Sequence, residues 1–246
     1  MPRRPSPTKA AMDTKPQRGS DKISTLNEGP LHAALKSWYA RPGDQFEVRV
    51  EGFLVDILHG QLLVEIQTAN FSAIKRKLAR LAAHYRVRLV YPVAAEKWIV
   101  RLDQDGHTPL GRRKSPKHGA IEDVFQELVR LPDLLLNPNF SIHVLLIQEE
   151  EVRSFDAKRA WRRKGWVTQE RRLLDVVGHR LFETPQDLAA LIPGDLAEPF
   201  TTAELAASLG RPGWLARKMA YCLREMDTLT AVGKRRNAIL YVRAPE

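Results

Sequence analysis

The sequence contains little cysteine and no long apolar run. Cys222 is the single cysteine among 246 residues, which excludes an internal disulfide and a cysteine-based zinc site. No stretch approaches the roughly 18 uninterrupted apolar residues that a membrane-spanning helix needs. The N-terminus carries basic residues without the apolar segment of a secretory signal. From these absences we expect a cytoplasmic protein that has no membrane partner.

The usual sequence signatures of nucleotide-driven chemistry are also missing. Neither a Gly-x-x-x-x-Gly-Lys loop nor a Gly-x-Gly-x-x-Gly fingerprint occurs in the chain. The 7 histidines are scattered, without a His-x-x-x-His pair. We therefore expect neither nucleotide hydrolysis nor a histidine-bound zinc ion.

Positive charge is the main surplus in the composition. Lysine and arginine number 39, against 29 aspartate and glutamate residues, for a formal net charge of +10. Such an excess favours a polyanionic partner, and double-stranded DNA is the partner that we expect. Hydrophobic residues make up 43% of the chain, so a packed core is within reach and global disorder is not expected. The oligomeric state stays open, with a homodimer as one possibility.

The pattern along the chain predicts four segments. Residues 1–24 are basic and rich in proline, and we expect a disordered tail. Residues 25–150 are predicted as a first folded domain, residues 151–168 as a basic and aromatic linker, and residues 169–246 as a second domain. The tryptophans of the linker suit either stacking on bases or docking of the two domains.

Hydrophobic periodicity in the front domain predicts a helix, three strands, a helix and a strand. Glu51-Gly52 and His59-Gly60 separate the three strands, as tight hairpin turns do. A further strand, a polar loop, another helix and a strongly apolar strand follow. The predicted ranges are a helix from about residue 27 to 38, strands 46–50, 53–58 and 61–67, a helix 70–85, strands 87–93 and 97–102, a loop 103–119, a helix 120–131 and a strand 141–148.

Residues 28–93 resemble, in this element order, the core of the PD-(D/E)XK nuclease superfamily. The family carries an Asp on one strand and Glu-x-Lys on the next, and Asp56 and Glu65-Ile66-Gln67 occupy those positions here. The resemblance implies an α/β fold with a restriction-endonuclease-like mixed sheet flanked by helices. It also implies a Mg²⁺- or Mn²⁺-dependent endonuclease of restriction or repair type. Asp56 and Glu65 would hold the metal, and Gln67 would orient the attacking water.

Strand geometry supports this hypothesis independently of the family. Side chains alternate along a strand, so Glu65 and Gln67 share one face, and a tight hairpin can bring Asp56 beside Glu65. Two carboxylates among apolar residues are costly unless they are paired or bound to a metal, and Mg²⁺ prefers carboxylate oxygens and water. The alternative is a pair of surface charges on a half-exposed sheet.

The chain departs from the family pattern at Gln67, which stands in place of the motif lysine and supplies no positive charge. Lys75 and Lys77 flank the apolar face of the next helix, and either could supply that charge. Glu28 resembles the accessory acid that some family members carry on the first helix. Because Gln67 replaces the motif lysine, a second hypothesis stays open, in which the protein is a DNA-binding transcriptional regulator with an inactive nuclease-like domain.

The C-terminal segment is predicted as two helices and a basic hairpin. A helix at 203–209, a turn at 211–213 and a helix at 214–226 precede strands at 229–232 and 238–242, and a helix at 169–177 is predicted to pack behind them. This order resembles the winged-helix family, in which the second helix enters the major groove and the hairpin contacts the backbone.

The winged-helix resemblance implies two sets of DNA contacts. Three adjacent cations at the hairpin tip favour DNA over a protein partner, although winged helices also serve as protein-binding modules. The implied contacts are Trp214, Arg217, Lys218 and Tyr221 on the second helix, and Lys234, Arg235 and Arg236 in the wing.

Overall fold

The computed structural model describes residues 29–103, 105–156 and 165–245. Glu28, the predicted basic tail and the central part of the predicted linker therefore lie outside the described residues. Within the described ranges, no helix combines the length and apolar character that crossing a membrane requires.

The described residues form a mixed α/β structure built on one large sheet. The elements are α1 (Pro30–Tyr39), β1 (Gln45–Val50), β2 (Phe53–His59), β3 (Leu62–Ile66), α2 (Phe71–Ala82), β4 (Arg86–Leu102), β5 (Pro109–Lys114), α3 (Phe125–Leu128), β6 (Phe140–Phe155), β7 (Trp166–Phe182), α4 (Pro185–Ala189), α5 (Thr202–Leu209), α6 (Gly213–Glu225), β8 (Leu229–Arg235) and β9 (Ala238–Arg243). Six strands run in the order β1-β2-β3-β4-β6-β7, and β5 joins the sheet by pairing with β4; a separate hairpin, β8-β9, lies near the C-terminus.

The first six elements confirm the order that the periodicity predicted. Pro30 lies in the first turn of α1, where its missing N–H has no intrahelical partner to lose. Gly52 and Gly60 adopt positive φ of 81° and 58° in the two hairpin turns, a conformation that glycine tolerates without steric cost. β1, β2 and β3 are antiparallel, whereas β3 pairs with β4, and β4 with β6, in parallel. The sheet is therefore mixed and is flanked by helices on both faces.

Two apolar clusters show how the helices cover the sheet. On one face, α1 buries Leu31 and Leu35 against Ile57, Val64 and Val90 of the sheet. On the other face, α2, α3 and the C-terminal helices share a single larger cluster with the sheet. The central strands are covered on both sides, which explains the almost uninterrupted apolar run at the start of β6.

The segment between β4 and β6 differs from the prediction. The two strands predicted at 87–93 and 97–102 are one 17-residue strand, and β5 lies inside the predicted polar loop 103–119. Every residue of β5 is exposed, so no apolar alternation marks it, and its order comes from pairing with β4. The helix predicted at 120–131 is shorter: a 3-10 turn (Ile121–Val124) leads directly into the single turn of α3.

The predicted helix at 169–177 and the predicted linker at 151–168 are both wrong where the structure describes them. β7 pairs with β6 from Ile142↔Phe182 to Phe155↔Trp166, so the boundary proposed at residue 168 lies inside the sheet. The apolar spacing of Leu173, Leu174 and Val177 suits a helix locally. Long-range pairing with β6 overrides that local preference.

The C-terminal elements share their core with the sheet rather than folding around a core of their own. α6 packs against α3 and against the neighbouring 3-10 turns. Its buried residues Leu215, Met219 and Leu223 belong to the same apolar cluster as Phe125 and residues of the sheet. Loss of packing at this junction should therefore affect the whole molecule.

We predict that the full chain unfolds in one cooperative transition and that Met219→Ala lowers its stability by about 2–5 kcal/mol, because Met219 is fully buried at the junction. Urea denaturation followed by both circular dichroism and tryptophan fluorescence measures this. Arg224→Ala, on the exposed side of α6, is the control and should change stability by less than about 0.5 kcal/mol. Two separate transitions would show that residues 184–245 fold independently.

Candidate functional site

Asp56 and Glu65 lie where β2 and β3 separate. The antiparallel ladder pairs Ile57 with Val64, and Asp56 and Glu65 are the next positions along the same register. Instead of continuing the ladder, Oδ2 of Asp56 accepts a hydrogen bond of 2.7 Å from the backbone N–H of Ile66. The carboxylate thus satisfies an amide that the diverging backbones leave without a strand partner.

Two basic side chains complete this cluster, one from each flanking helix. Nζ of Lys77, on α2, lies 2.5 Å from Oε2 of Glu65 and donates to the carbonyl oxygen of Leu54. Nε2 of His32, on α1, lies 3.3 Å from Oδ2 of Asp56 and 2.9 Å from the carbonyl oxygen of Ile66. We call His32, Asp56, Glu65 and Lys77 the acidic-pair site; four separate elements supply its members.

The two carboxyl groups of the acidic-pair site hold charge unequally. Burial, and next the negative charge of Asp56, raise the pKa of Glu65 to about 7 in spite of Lys77. Burial alone would raise the pKa of Asp56 as well. Hydrogen bonds from His32 and from the Ile66 amide, with the charges of His32 and Lys77, outweigh burial and hold that pKa below its ordinary value. Asp56 therefore carries the negative charge, while Glu65 holds a proton readily near neutral pH.

The fit of this site to a divalent cation rests on the two carboxylates. Among the described residues, no group of three or more His, Cys, Asp or Glu side chains is arranged to hold a metal. Mg²⁺ commonly takes only one or two carboxylates and fills its other positions with water and phosphate oxygens, so Asp56 and Glu65 suffice. Oε2 of Glu65 is buried without a well-oriented hydrogen bond, although the Lys77 ammonium is close to it. A cation at this oxygen has to displace Lys77.

Two of the predicted catalytic residues, Gln67 and Lys75, do not join the acidic-pair site. The side-chain amide of Gln67 donates to the carbonyl oxygens of Ala69 and Asn70, in the turn before α2. Lys75 is exposed on α2 and contacts neither carboxylate, so Lys77 is the lysine that the structure selects. Glu28 lies outside the described residues.

Sequence reasoning missed His32. The spacing between histidines does not indicate it, because no other histidine lies near His32 in sequence. Its signal was different: His32 follows Glu28 by four residues, and residues four apart share a face of a helix. That face is the one on which an accessory acid was expected.

The predicted DNA contacts on α6 separate into exposed and bound side chains. Trp214, Arg217 and Tyr221 are exposed on one face of α6, and the two aromatic side chains keep 42% and 43% of their surface in solvent. Lys218 is partly buried: its Nζ donates to the carbonyl oxygen of Gln126 at 2.9 Å and lies 5.7 Å from the centre of the Trp214 ring. Lys218 thus joins α6 to the α3 segment.

One of the three cations of the β8-β9 hairpin is held by an ion pair, and the other two are exposed. Arg235 forms an ion pair of 2.7 Å with Glu204 on α5, which fastens the hairpin to that helix. Lys234 and Arg236 are exposed, and neither forms an ion pair within the described part of the chain. Two cations at the tip therefore remain available for a ligand.

Because the pKa of Glu65 is raised, we predict that the free energy of unfolding falls as the pH rises from about 4.5 to about 7. In that window the folded protein holds a proton that the unfolded chain, with an ordinary pKa of 4.5, has released. Glu65→Gln keeps this position neutral and should remove that part of the pH dependence, at most about 3 kcal/mol. Denaturation of both proteins at several pH values, without divalent cations, measures the difference. Glu225→Gln, exposed on α6, is the control, and equal pH dependence in all three proteins would contradict the prediction.

Comparison with known proteins places the sheet in a family. A family model described as "Domain of unknown function (DUF8091)" matches residues 29–183, from the start of α1 to the end of β7. An uncharacterized protein of Treponema pallidum (strain Nichols) is 32% identical over 224 residues, which cover 91% of this chain and 88% of that protein. No solved structure matches significantly. On the extent of the family match, the chain belongs to the DUF8091 family.

Proposed function

We propose that this protein binds double-stranded DNA through the outer face of α6 and the tip of the β8-β9 hairpin. The observation that supports this most directly is the exposure of Trp214 and Tyr221 beside Arg217 on a helix whose opposite face is fully packed. Large aromatic side chains in solvent beside a cation are typical of a binding surface. We call Trp214, Arg217 and Tyr221 the α6 face.

The arrangement of the C-terminal elements supports the same proposal. A helix, a turn, a second helix and a hairpin follow one another in the order of the winged-helix family, where the second helix enters the major groove. In that arrangement Arg217 would contact base edges, and Lys234 and Arg236 would contact phosphates. Lys218 and Arg235 would have a positioning role, since their bonds hold α6 and the hairpin in place.

The net charge of +10 fits this partner, because phosphate contacts supply most non-specific affinity for DNA. A homodimer would present two α6 faces to two half-sites, and a monomer would present one. The proposal includes a cytoplasmic location, where DNA is accessible in a cell without a nucleus.

A second candidate function, metal-dependent hydrolysis of a phosphodiester, is favoured by the place of Lys77. The PD-(D/E)XK resemblance requires a lysine near the acidic pair, and α2 brings Lys77 to Glu65 where the strand has Gln67 instead. Asp56 and Glu65 would hold Mg²⁺ or Mn²⁺, which would supply an activated water. Lys77 would then offset negative charge on the reacting phosphate. The rival is a regulator in which the Lys77–Glu65 ion pair permanently takes the place of a metal.

For DNA binding, we predict that Lys234→Ala/Arg236→Ala weakens affinity for duplex DNA and reduces the log–log salt slope by about 1.8, because each lost phosphate contact removes about 0.9. Arg217→Ala should weaken binding to a preferred sequence more than to other sequences. Fluorescence anisotropy over a range of salt concentrations measures both. The charge-matched control, Arg76→Ala/Arg130→Ala, removes two exposed cations elsewhere. If the hairpin variant and this control bind alike, the hairpin does not contact phosphate.

For hydrolysis, we predict that the full chain nicks plasmid DNA with Mg²⁺ or Mn²⁺ and not with chelator. Asp56→Asn should abolish nicking, and Lys77→Met should slow it by about 100-fold or more, as expected for the loss of one preorganised charge. Arg76→Met on the same helix is the control. Titration calorimetry with Mn²⁺ tests the metal separately, and the absence of both saturable Mn²⁺ binding and nicking would support the inactive regulator.

A further inference from the structure

A cleft of about 760 Å³ opens between the sheet and the N-terminal end of α6. Its walls come from β4, β5, β6 and β7, from residues 115–119, and from Arg211, Pro212 and Trp214 at the start of α6. No member of the acidic-pair site lines it, and Trp214 is the one residue that it shares with the α6 face. The cleft is thus distinct from the acidic-pair site and adjoins the α6 face at Trp214.

Basic side chains dominate the lining of this cleft. Asp123 is the one acidic residue among the lining residues, and its Oδ1 pairs with Nη2 of Arg211 at 2.5 Å. His118 also contributes to the wall. The six lysine and arginine residues of the lining are Lys97, Arg113, Lys117, Arg153, Arg171 and Arg211.

Two buried glutamates of β6 hold three of these cations in place. Oε1 of Glu149, which is fully buried, lies 2.7 Å from Nζ of Lys97, and its Oε2 accepts a bond of 2.9 Å from Nε of Arg171. Glu151 accepts from Nε of Arg153 at 2.9 Å and lies 3.1 Å from Lys97. A buried carboxylate is costly without partners, so these pairs fix the cations at the floor of the cleft.

Glu151 remains ionised over the whole physiological range. Burial alone would raise its pKa, but hydrogen bonds from Arg153 and Thr168 and the charge of Lys97 lower it to about 2. Among the described hydrogen bonds, Arg153 uses only Nε, which leaves the outer nitrogens of its guanidinium group for a ligand. The floor is therefore preorganised before any ligand arrives.

The charges of the cleft do not cancel. Six cations face Asp123, Glu149 and Glu151, which leaves an excess of three positive charges on one concave surface. Arg113 and Lys117 contribute most directly to this excess, since both are exposed and neither forms an ion pair with another described residue. Concave surfaces with low-dielectric walls strengthen such a field.

The N-terminus of α6 adds to the same field. The helix has 13 residues, no acidic residue in its first turn and no side-chain cap on its first N–H groups. Pro212 and Trp214, which bracket the first helical residue, both line the cleft. Free N–H groups and the positive end of the helix dipole favour an anion here, beside the cations of the sheet.

We propose that this cleft binds phosphate-linked nucleotides, with the phosphates on the cations of its floor and rim and a base against Trp214. The guanidinium groups of Arg113 and Arg153, whose outer nitrogens make no bond to another described residue, match phosphate oxygens in pairs. An exposed indole offers a stacking surface for a base, and the volume is that of a site for a whole small molecule rather than a single ion. The ligand comes either as a free nucleoside triphosphate or as part of a single nucleic-acid strand.

The test uses the full chain and two probes: ATP in titration calorimetry and a labelled single-stranded oligonucleotide in anisotropy. Arg113→Ala/Lys117→Ala removes the two exposed cations and spares the pairs with the buried glutamates. We expect its oligonucleotide affinity to fall about tenfold at 0.15 M salt and the salt slope to fall by about 1.4, at about 0.7 for each single-strand phosphate. Arg76→Ala/Arg130→Ala is the charge-matched control, and thermal melts of both variants check that folding is intact.

The two probes identify the source of the ligand. Weaker binding of ATP alone supports a free nucleotide, weaker binding of the oligonucleotide alone supports a strand, and ATP that displaces the oligonucleotide supports one shared site. If the cleft variant binds both probes as the control does, or if the wild type binds neither, the proposal is overturned. Duplex affinity, measured in parallel on the α6-face variant Arg217→Ala, reports on the proposed function separately.

Discussion

β4 and β6 form the central parallel pair of the sheet, and the other strands and both candidate sites are positioned by that pair. The two strands remain paired from Val87↔Phe140 to Arg101↔Arg153, with one shift in register. Their first halves are buried between two helical layers, and their second halves carry the charged residues of the cleft. β3 and β7 attach to the outer edges of this pair. Both the acidic-pair site and the cleft therefore take their positions from it.

Charge is distributed along this sheet by a consistent rule: each buried carboxylate lies against a cation from a different element. Glu65 on β3 meets Lys77 of α2, and Glu149 on β6 meets Lys97 of β4 and Arg171 of β7. Such pairs add little net stability compared with apolar packing, but they are strongly destabilising when one partner is removed. Their main effect is to specify positions, and cations held in this way meet a phosphate ligand at little further cost in side-chain entropy.

The basic surfaces of the molecule adjoin one another at Trp214. The α6 face starts there and continues to Tyr221, while the cleft extends from the same residue across the sheet. Thr68, which follows Glu65 by three residues in the sequence, also lines the cleft. A nucleic acid on the α6 face would thus have the positively charged surface of the cleft beside it.

Local sequence patterns are enough to predict the elements whose stability is local. Amphipathic spacing predicts α1, α2 and α6. Glycine turns and strand alternation predict the β1-β2-β3 meander. The hairpin between β2 and β3 is then enough to predict that Asp56 lies beside Glu65. Features that depend on partners far away in the chain follow only from the folded structure. β7 has a helix-compatible apolar spacing and becomes a strand because β6 offers it a ladder, and β5 is a strand of exposed residues that only pairing with β4 orders. Three features of the sites join residues that are far apart in the chain. Lys77, and not Lys75, contacts Glu65, and His32 contacts Asp56. A cluster of cations lies over Glu149 and Glu151. No local pattern encodes such contacts, because they form only when the sheet brings the separate strands together.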